Sequence, residues 1–229
     1  MKIKNLYNNL STFELFLWLF SIITVVCSFL LSSSTNYLTL FASLIGVTAL
    51  IFVAKGYVIG QILTVVFAIF YGIIAFYFGY YGEMITYLGM TSPIAILTVI
   101  SWIKHPYKDT LEVTIHQMTK LQIVIMFLLT IFITIIFYFI LKTLGTTNLF
   151  FSTISISTSF LASYLTFMRS SYYAVGYMTN DIILIILWTL ATIENISYLP
   201  MIVCFIMFFI NDSYGFFNWQ TMKKRQAVN

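Results

Sequence analysis

The chain has 229 residues, of which 61% are hydrophobic and 8% are charged, and its mean hydropathy is +0.98. A soluble domain of this length would lack the polar residues to cover its surface, so these values exclude that class. Continuous apolar runs of about 20 residues also disfavour a transmembrane β-barrel, whose strands alternate apolar and polar residues. The composition therefore predicts an all-α membrane protein.

Eight apolar segments are long enough to cross a bilayer as helices. In chain order they are 13–31, 37–54, 57–79, 84–102, 121–141, 149–168, 177–194 and 198–218. The first segment exceeds the core of a signal peptide, so we interpret it as an uncleaved helix. We expect a single transmembrane domain over residues 1–229.

The basic residues separate the two sides of the membrane. With eight spans, Lys142 stands alone on one side, and the other side holds ten of the eleven Lys and Arg residues. These ten are Lys2, Lys4, Lys55, Lys104, Lys108, Lys120, Arg169, Lys223, Lys224 and Arg225. The positive-inside rule makes their side cytoplasmic, together with both termini. Because the charges are scattered among short loops, the net charge of +4 does not indicate nucleic-acid binding.

An internal repeat relates residues 37–102 to residues 149–219. Both units place a basic residue after the first helix, a glycine at the start of the second, a glutamate near the outer turn and a tryptophan at the inner interface. The pairs are Lys55 and Arg169, Gly60 and Gly176, Glu83 and Glu194, and Trp102 and Trp219. Segment 121–141 would link the units in parallel, as in the 3+1+3 bundle of SWEET transporters, which bind substrate near the midplane. Segment 13–31 is then an extra N-terminal helix.

Two Asn-Asp pairs, Asn180-Asp181 and Asn211-Asp212, lie inside the last two apolar segments. Ionisable groups at membrane depth are costly and typical of a cavity or a substrate path. Both aspartates lie about fifteen residues from the turn at 196–197, so two antiparallel helices would hold them at one height. Asp181 has an alternative role as a cap of the cytoplasmic end of its helix.

Polar residues continue along one face of the last segment. Asn211, Tyr214 and Asn218 are spaced by three and four residues, and so share that face, with Asp212 beside it. This face either lines a cavity or makes hydrogen bonds that hold neighbouring helices together.

Three further candidates lie near the middle of the membrane. Trp188, eight residues after Asn180, either packs in the core or stacks on a flat ligand. In the first unit, Gln61 and Tyr71 occupy the third segment. Thr91 precedes Pro93, which predicts a kink at mid-membrane that frees backbone carbonyls for a cavity or serves packing alone.

The residue types at membrane depth indicate the class of ligand. Carboxylates, carboxamides and aromatic faces favour a flat, hydroxylated cation, whereas the absence of a basic residue at that depth disfavours phosphates. No nucleotide-binding loop, esterase elbow or zinc-protease helix occurs, so we predict no enzyme, no cofactor and no metal centre. His105 and His116 could coordinate a metal, but a solvated loop explains them more simply.

Three motifs resemble the PnuC family of nicotinamide riboside transporters: YGEMITYLGMTSP at 81–93, Asn180-Asp181 with Trp188, and NDSYGFFNW at 211–219. The resemblance extends from about residue 38 to 222. It implies a SWEET-like bundle, oligomers that are trimers, and a bacterial plasma membrane. It also implies that an unphosphorylated vitamin moves down its gradient and is trapped by a cytoplasmic kinase.

One position departs from the family pattern. Carriers of nicotinamide riboside have Asn four residues after the tryptophan of the penultimate helix, whereas Trp188 is followed by Thr192. The resemblance therefore leaves thiamine and riboflavin as alternative vitamins. Two alternatives to facilitated diffusion remain. One is proton symport through Asp181 and Asp212, and the other is a membrane protein that transports nothing.

The resemblance assigns roles to the candidate residues as a hypothesis. Trp188 stacks on the flat ring, and Asn180, Asn211 and Tyr214 hydrogen-bond its polar substituents. The two aspartates offset the cation or hold the inner gate, and the first unit contributes through Gln61 and Thr91.

Overall fold

The structure is a computed structural model that describes residues 10–32, 37–77, 79–146 and 148–228. In this part of the chain, eight helices are long and apolar enough to cross a membrane, which confirms the predicted all-α class and the number of spans. They are α1 (Thr12–Leu31), α2 (Tyr37–Ala54), α3 (Val58–Tyr77), α4 (Tyr81–Lys104), α5 (Lys120–Thr143), α6 (Leu149–Phe167), α7 (Tyr173–Glu194) and α8 (Leu199–Val228). A 3-10 turn, Ile196–Tyr198, joins the last two. The predicted Lys2 and Lys4 lie outside the described residues.

Two helix ends differ from the prediction by four residues or more. The penultimate helix begins at Tyr173 rather than at 177, and its first two residues, Tyr173 and Ala174, are buried in the bundle. The last helix continues to Val228, ten residues beyond the predicted end at 218. Its final turns carry the charged residues Lys223 and Arg225. The prediction stopped too early because hydropathy marks where a helix leaves the membrane, not where the helix ends.

Each predicted unit packs against the other through its first and last helices. Within each predicted unit, successive helices pack on one another; between units, α2 packs on α8 and α4 packs on α6. The helix between the units, α5, packs mainly on α6, and α1 covers α2 and α8. Thus the first helix of each unit meets the last helix of the other, as a two-fold arrangement requires. The 3+1+3 repeat itself stays a prediction.

Trp102 and Trp219 lie inside the bundle rather than at the membrane surface. They are 1% and 0% exposed, and their ring centroids are 5.5 Å apart. The indole of Trp102 donates to the carbonyl of Thr166 on α6 at 3.1 Å, and that of Trp219 donates to the carbonyl of Val53 on α2 at 3.0 Å. Each tryptophan therefore bonds the opposite predicted unit, and the expectation of two interfacial residues is wrong because both indoles find buried acceptors.

The fourth helix is interrupted halfway. It runs as an α-helix over Tyr81–Ile85, as a π-helix over Thr86–Thr91 and again as an α-helix over Ser92–Lys104. Pro93, at the start of the last part, has no amide hydrogen for the carbonyl four residues earlier. The predicted kink is thus a π-helical segment, a feature that is frequent at functional sites.

Residues 105–119, here named the inner strap, cross the end of the bundle at which the α2–α3 and α6–α7 connections lie. The amide of Val113 donates to the carbonyl of Gly56 at 2.9 Å, and Arg169 Nε donates to the carbonyl of Thr114 at 3.1 Å. Gln226 of α8 donates to the carbonyl of Val113 at 3.1 Å. Most of the strap is exposed or half-exposed, as expected of a solvated loop, although Val113 is buried and both predicted units supply partners for the strap's backbone.

Candidate functional site

A cavity of about 50 Å³ lies between the two predicted units, at membrane depth. Its walls come from α2, α3 and α4 on one side and from α6, α7 and α8 on the other. Five of the ten candidate residues line it: Gln61, Thr91, Asn180, Asp181 and Asp212. The remaining wall residues are Gly46, Ala49, Leu50, Thr64, Phe67, Tyr87, Ser159, Ser163, Tyr177, Phe205 and Phe208.

The acidic pair is the central polar feature of the cavity. Asp181 and Asp212 are each 2% exposed, and their carboxyl groups lie within hydrogen-bonding reach of each other. No basic residue is among the described residues that line this cavity, so no side chain of its wall offsets a charge on the pair. Oδ2 of Asp181 has no hydrogen-bond partner among the described residues.

The position of Asp181 in its helix decides between its two predicted roles. The helix begins at Tyr173, so Asp181 stands in its interior and cannot cap its end. The antiparallel α7 and α8 bring Asp181 and Asp212 to one height, as the residue count from the turn predicts.

Asn180 links three helices around the cavity. Its Oδ1 accepts hydrogen bonds from Thr158 at 2.9 Å and from Ser159 at 2.8 Å, both on α6. The hydroxyl of Tyr87, in the π-helical segment of α4, lies within hydrogen-bonding reach of Asn180. Because Oδ1 is occupied twice, the amide nitrogen is the group of Asn180 that is directed to the other predicted unit.

Aromatic rings form much of the remaining wall. The ring centroid of Phe67 lies 5.2 Å from that of Phe208 and 6.2 Å from that of Tyr87, and Phe205 lies 5.4 Å from Phe208. Sequence reasoning missed these residues, since the chain has 23 phenylalanines and nothing in their spacing singles out three. A signal existed for Tyr87, which stands one helical turn before Thr91 in the segment ahead of Pro93.

Trp188 and Tyr71 lie behind this wall rather than in it. Both are 0% exposed, and the indole of Trp188 donates to the Tyr71 hydroxyl at 2.9 Å. The Tyr71 ring packs 4.2 Å from that of Tyr87, measured between centroids. Of the two roles open for Trp188, core packing fits this position. Four residues on, Thr192 donates to the carbonyl of Trp188 at 2.7 Å and so presents no hydroxyl hydrogen to a ligand.

Asn211, Tyr214 and Asn218 share one helical face, but that face is turned away from the cavity. Asn211 Nδ2 donates to Ser21 Oγ at 2.9 Å, and the Tyr214 hydroxyl donates to a carboxylate oxygen of α1 at 2.6 Å. Asn218 Nδ2 donates to the carbonyl of Ala54 at 2.7 Å. Their expected place in the cavity is wrong, because α1 and the end of α2 cover this face; they hold helices together instead.

The cavity is small for a nucleoside. Ligand pockets usually enclose about 300–1,000 Å³, so side chains must move before such a molecule fits. The ring of Phe208 packs directly against Gly46, where a Cβ would lie 2.3 Å from its Cζ. We therefore expect the space beside Gly46 to be shared between Phe208 and the ligand.

An eight-helix membrane bundle that encloses a polar and aromatic cavity belongs to the class of membrane transport proteins. Residues 36–221 match the family described as nicotinamide mononucleotide transporter, and the chain belongs to that family. The predicted family is thereby confirmed.

Two relatives show how far the likeness extends. The nicotinamide riboside transporter PnuC of Neisseria mucosa is 23% identical over 229 residues, which cover 98% of this chain and 87% of that protein. The crystal structure of the vitamin B3 transporter PnuC matches with a TM-score of 0.83 and 23% identity, over 95% of this chain and 94% of that one. At this identity, the structural match shows a shared fold.

Proposed function

We propose that this protein carries nicotinamide riboside across the plasma membrane by facilitated diffusion. The observation that supports this most strongly is the Asp181–Asp212 pair, buried among aromatic rings without a cation of its own. Nicotinamide riboside is a flat pyridinium cation with a carboxamide and ribose hydroxyls. Carboxylates and ring faces attract such a cation, and neighbouring polar groups orient it.

The same cavity favours the riboside over the mononucleotide. The family description names the mononucleotide and the relative's name gives the riboside; the two molecules differ by a phosphate. Among the described residues that line the cavity, none is basic, and two are acidic. A phosphate there would meet negative charge and find no cation to pair with.

We assign the contacts accordingly. Phe67, Tyr87 and Phe208 stack on the pyridinium ring, and the acidic pair offsets its charge. Gln61, Thr91 and Asn180 hydrogen-bond the carboxamide and the ribose, while Trp188 and Tyr71 support the wall from behind.

Trapping by a cytoplasmic kinase follows from the same electrostatics. Phosphorylation converts the cation into a molecule that this cavity rejects, so the product stays inside. The excess of basic residues at the strap end supports a cytoplasmic location for that end and for both termini. We propose a homo-oligomer, a trimer as the family resemblance implies, in a bacterial plasma membrane.

Calorimetry on the purified protein tests the substrate. We expect nicotinamide riboside to bind and nicotinamide mononucleotide to bind at least tenfold more weakly, since one unpaired buried charge costs more than 1.4 kcal/mol. Tighter binding of the mononucleotide would contradict the proposal. Uptake into liposomes should proceed without a pH gradient; dependence on one would favour proton symport through Asp181 and Asp212.

Thiamine is the second candidate. It is also a flat cation, and one observation favours it: Thr192, where riboside carriers have Asn, bonds its own helix and faces no ligand. Including thiamine and riboflavin in the calorimetric screen decides between the vitamins.

A further inference from the structure

A cavity of about 370 Å³ lies at the strap end of α5, and it shares no lining residue with the cavity that holds the acidic pair. The inner strap, the first turns of α5, the α6–α7 connection and the last turns of α8 form its walls. It is several times larger than the cavity of about 50 Å³ at membrane depth. Its two ends differ in chemistry.

The polar end carries one unbalanced positive charge. Lys223 lines it, together with His116 and the hydroxyl residues Ser170 and Ser171. Among the described residues, ion pairs join Lys55 to Glu14 and Arg225 to Glu112, and none includes Lys223. The Lys223 ammonium instead lies 5.7 Å from the centroid of the Tyr172 ring. No acidic residue is among the described residues that line this cavity.

The other end is apolar and open to the surroundings of the bundle. Met126 is buried there, whereas Ile123 and Phe127 of α5 are 39% and 52% exposed. These residues follow Lys120, at which the helix enters the apolar layer. The cavity therefore joins a cationic, hydroxylated pocket at the membrane surface to a strip of lipid-facing apolar side chains.

We propose that this cavity binds an anionic phospholipid of the cytoplasmic leaflet. The phosphate accepts from Lys223 and from the serine hydroxyls, and an acyl chain lies along Ile123 and Phe127. The cytoplasmic leaflet is rich in anionic lipids, and basic pockets on that side of membrane proteins bind their headgroups. A second cavity at this end, of about 270 Å³, is lined by Glu112 and by no basic residue among those described, so its charge does not match an anionic headgroup. The choice of leaflet rests on the orientation proposed above.

Native mass spectrometry of the full chain in neutral detergent tests this. Phosphatidylglycerol should saturate at one molecule per chain, and phosphatidylcholine should bind at least fivefold more weakly. Lys223→Gln should weaken phosphatidylglycerol about fivefold, the worth of one lysine at an anionic surface. The matched control is Lys224→Gln, which removes the same charge one residue away, outside the lining, and should leave the affinity unchanged.

Three results would overturn the proposal. Equal affinity for both lipids would remove the role of charge, and equal losses in the Lys223 and Lys224 variants would show diffuse surface attraction. In the Phe127→Cys variant, a disulfide could form between two copies of the chain. If that crosslink forms and phosphatidylglycerol no longer binds, a second chain rather than a lipid fills the cavity. If Lys223→Gln lowers the unfolding temperature, Ile123→Trp serves as the second variant. Its larger side chain narrows the mouth of the cavity and should lower the affinity for phosphatidylglycerol about as much. Riboside binding should persist in every variant, which separates this test from that of the substrate.

Discussion

Two buried acidic sites in this bundle have opposite surroundings. Glu14 of α1 is 2% exposed, its two carboxylate oxygens each lie 2.8 Å from Lys55 Nζ, and Oε1 accepts from Tyr214 at 2.6 Å. Asp181 and Asp212 are equally buried, yet they lie next to each other and have no basic neighbour among the described residues that line their cavity.

The difference separates a structural acid from one that serves binding. A buried charge that has its own cation and hydrogen-bond donors is complete, and removing one partner is strongly destabilising. Glu14 thus fastens α1 to the connection after α2 and to α8. The aspartate pair lacks a cation, so the protein retains an incomplete site whose missing partner must come from outside.

Asp212→Asn should have the largest effect on binding. It removes one of the two acids that face the cation, and we expect the affinity for nicotinamide riboside to fall on the order of a hundredfold, the scale of a broken buried charge pair. The unfolding temperature should stay equal or rise, because the variant no longer buries an acid without a cation. Calorimetry and thermal unfolding measure the two quantities. The control is Asp109→Asn, which makes the same change at an exposed loop position. Wild-type affinity in the Asp212 variant would show that the aspartate pair, like Glu14, does not serve binding.

Glu14→Gln should show the reverse pattern. We expect the free energy of unfolding to fall by about 2 kcal/mol, less than for a fully buried pair since Lys55 keeps some contact with water. Riboside affinity of the folded protein should change less than about twofold. Chemical unfolding in detergent measures the first. The double variant Glu14→Leu, Lys55→Met should recover the lost stability, because apolar residues replace buried ion pairs at little cost; failure to recover would mean that Glu14 acts through another contact.

Gly46→Ala should affect both properties moderately. The new Cβ would lie 2.3 Å from Phe208 Cζ, so the ring must shift within the cavity. We expect a loss of about 1–3 kcal/mol in stability from overpacking and roughly tenfold weaker riboside binding. Gly89→Ala is the matched control: its Cβ would meet nothing closer than 3.8 Å. Equal behaviour of the two variants would show that Phe208 does not share space with the ligand.

Thr192→Asn should have the smallest effect. It places at this position the carboxamide that the PnuC resemblance associates with riboside carriers, but Thr192 is not among the residues that line the cavity, so we expect the riboside affinity to change less than about twofold. Thiamine affinity should not rise, and competition calorimetry compares the two. A gain for thiamine instead would favour the second candidate.

Much of the fold could be predicted from local properties of the chain. Apolar run length sets the number of helices, and the count of residues from the turn at 196–197 places Asp181 and Asp212 at one height, because helical rise is constant. The helix ends at Tyr173 and Val228 were not predicted. Apolar run length reports only the part of a helix inside the membrane, whereas helical hydrogen bonding continues beyond it.

Only about half of the candidate site could be predicted from the sequence. Asn180 and Asp181 line the cavity as predicted, whereas Asn211 and Tyr214, which have the same polar character, bond α1 instead. Periodicity shows that residues share a face, but it does not show which neighbour covers that face. The extra helix α1 decided this, and no pattern within α8 reports its position.

The sequence by itself determined the membrane, the eight helices, the family and the level of the acidic pair, because hydropathy and helical rise act along the chain. The tertiary structure alone decided which rings surround that pair, which acid receives a lysine and which polar face is covered. Those outcomes depend on distances between helices remote in sequence, which are set by how all the side chains pack at once.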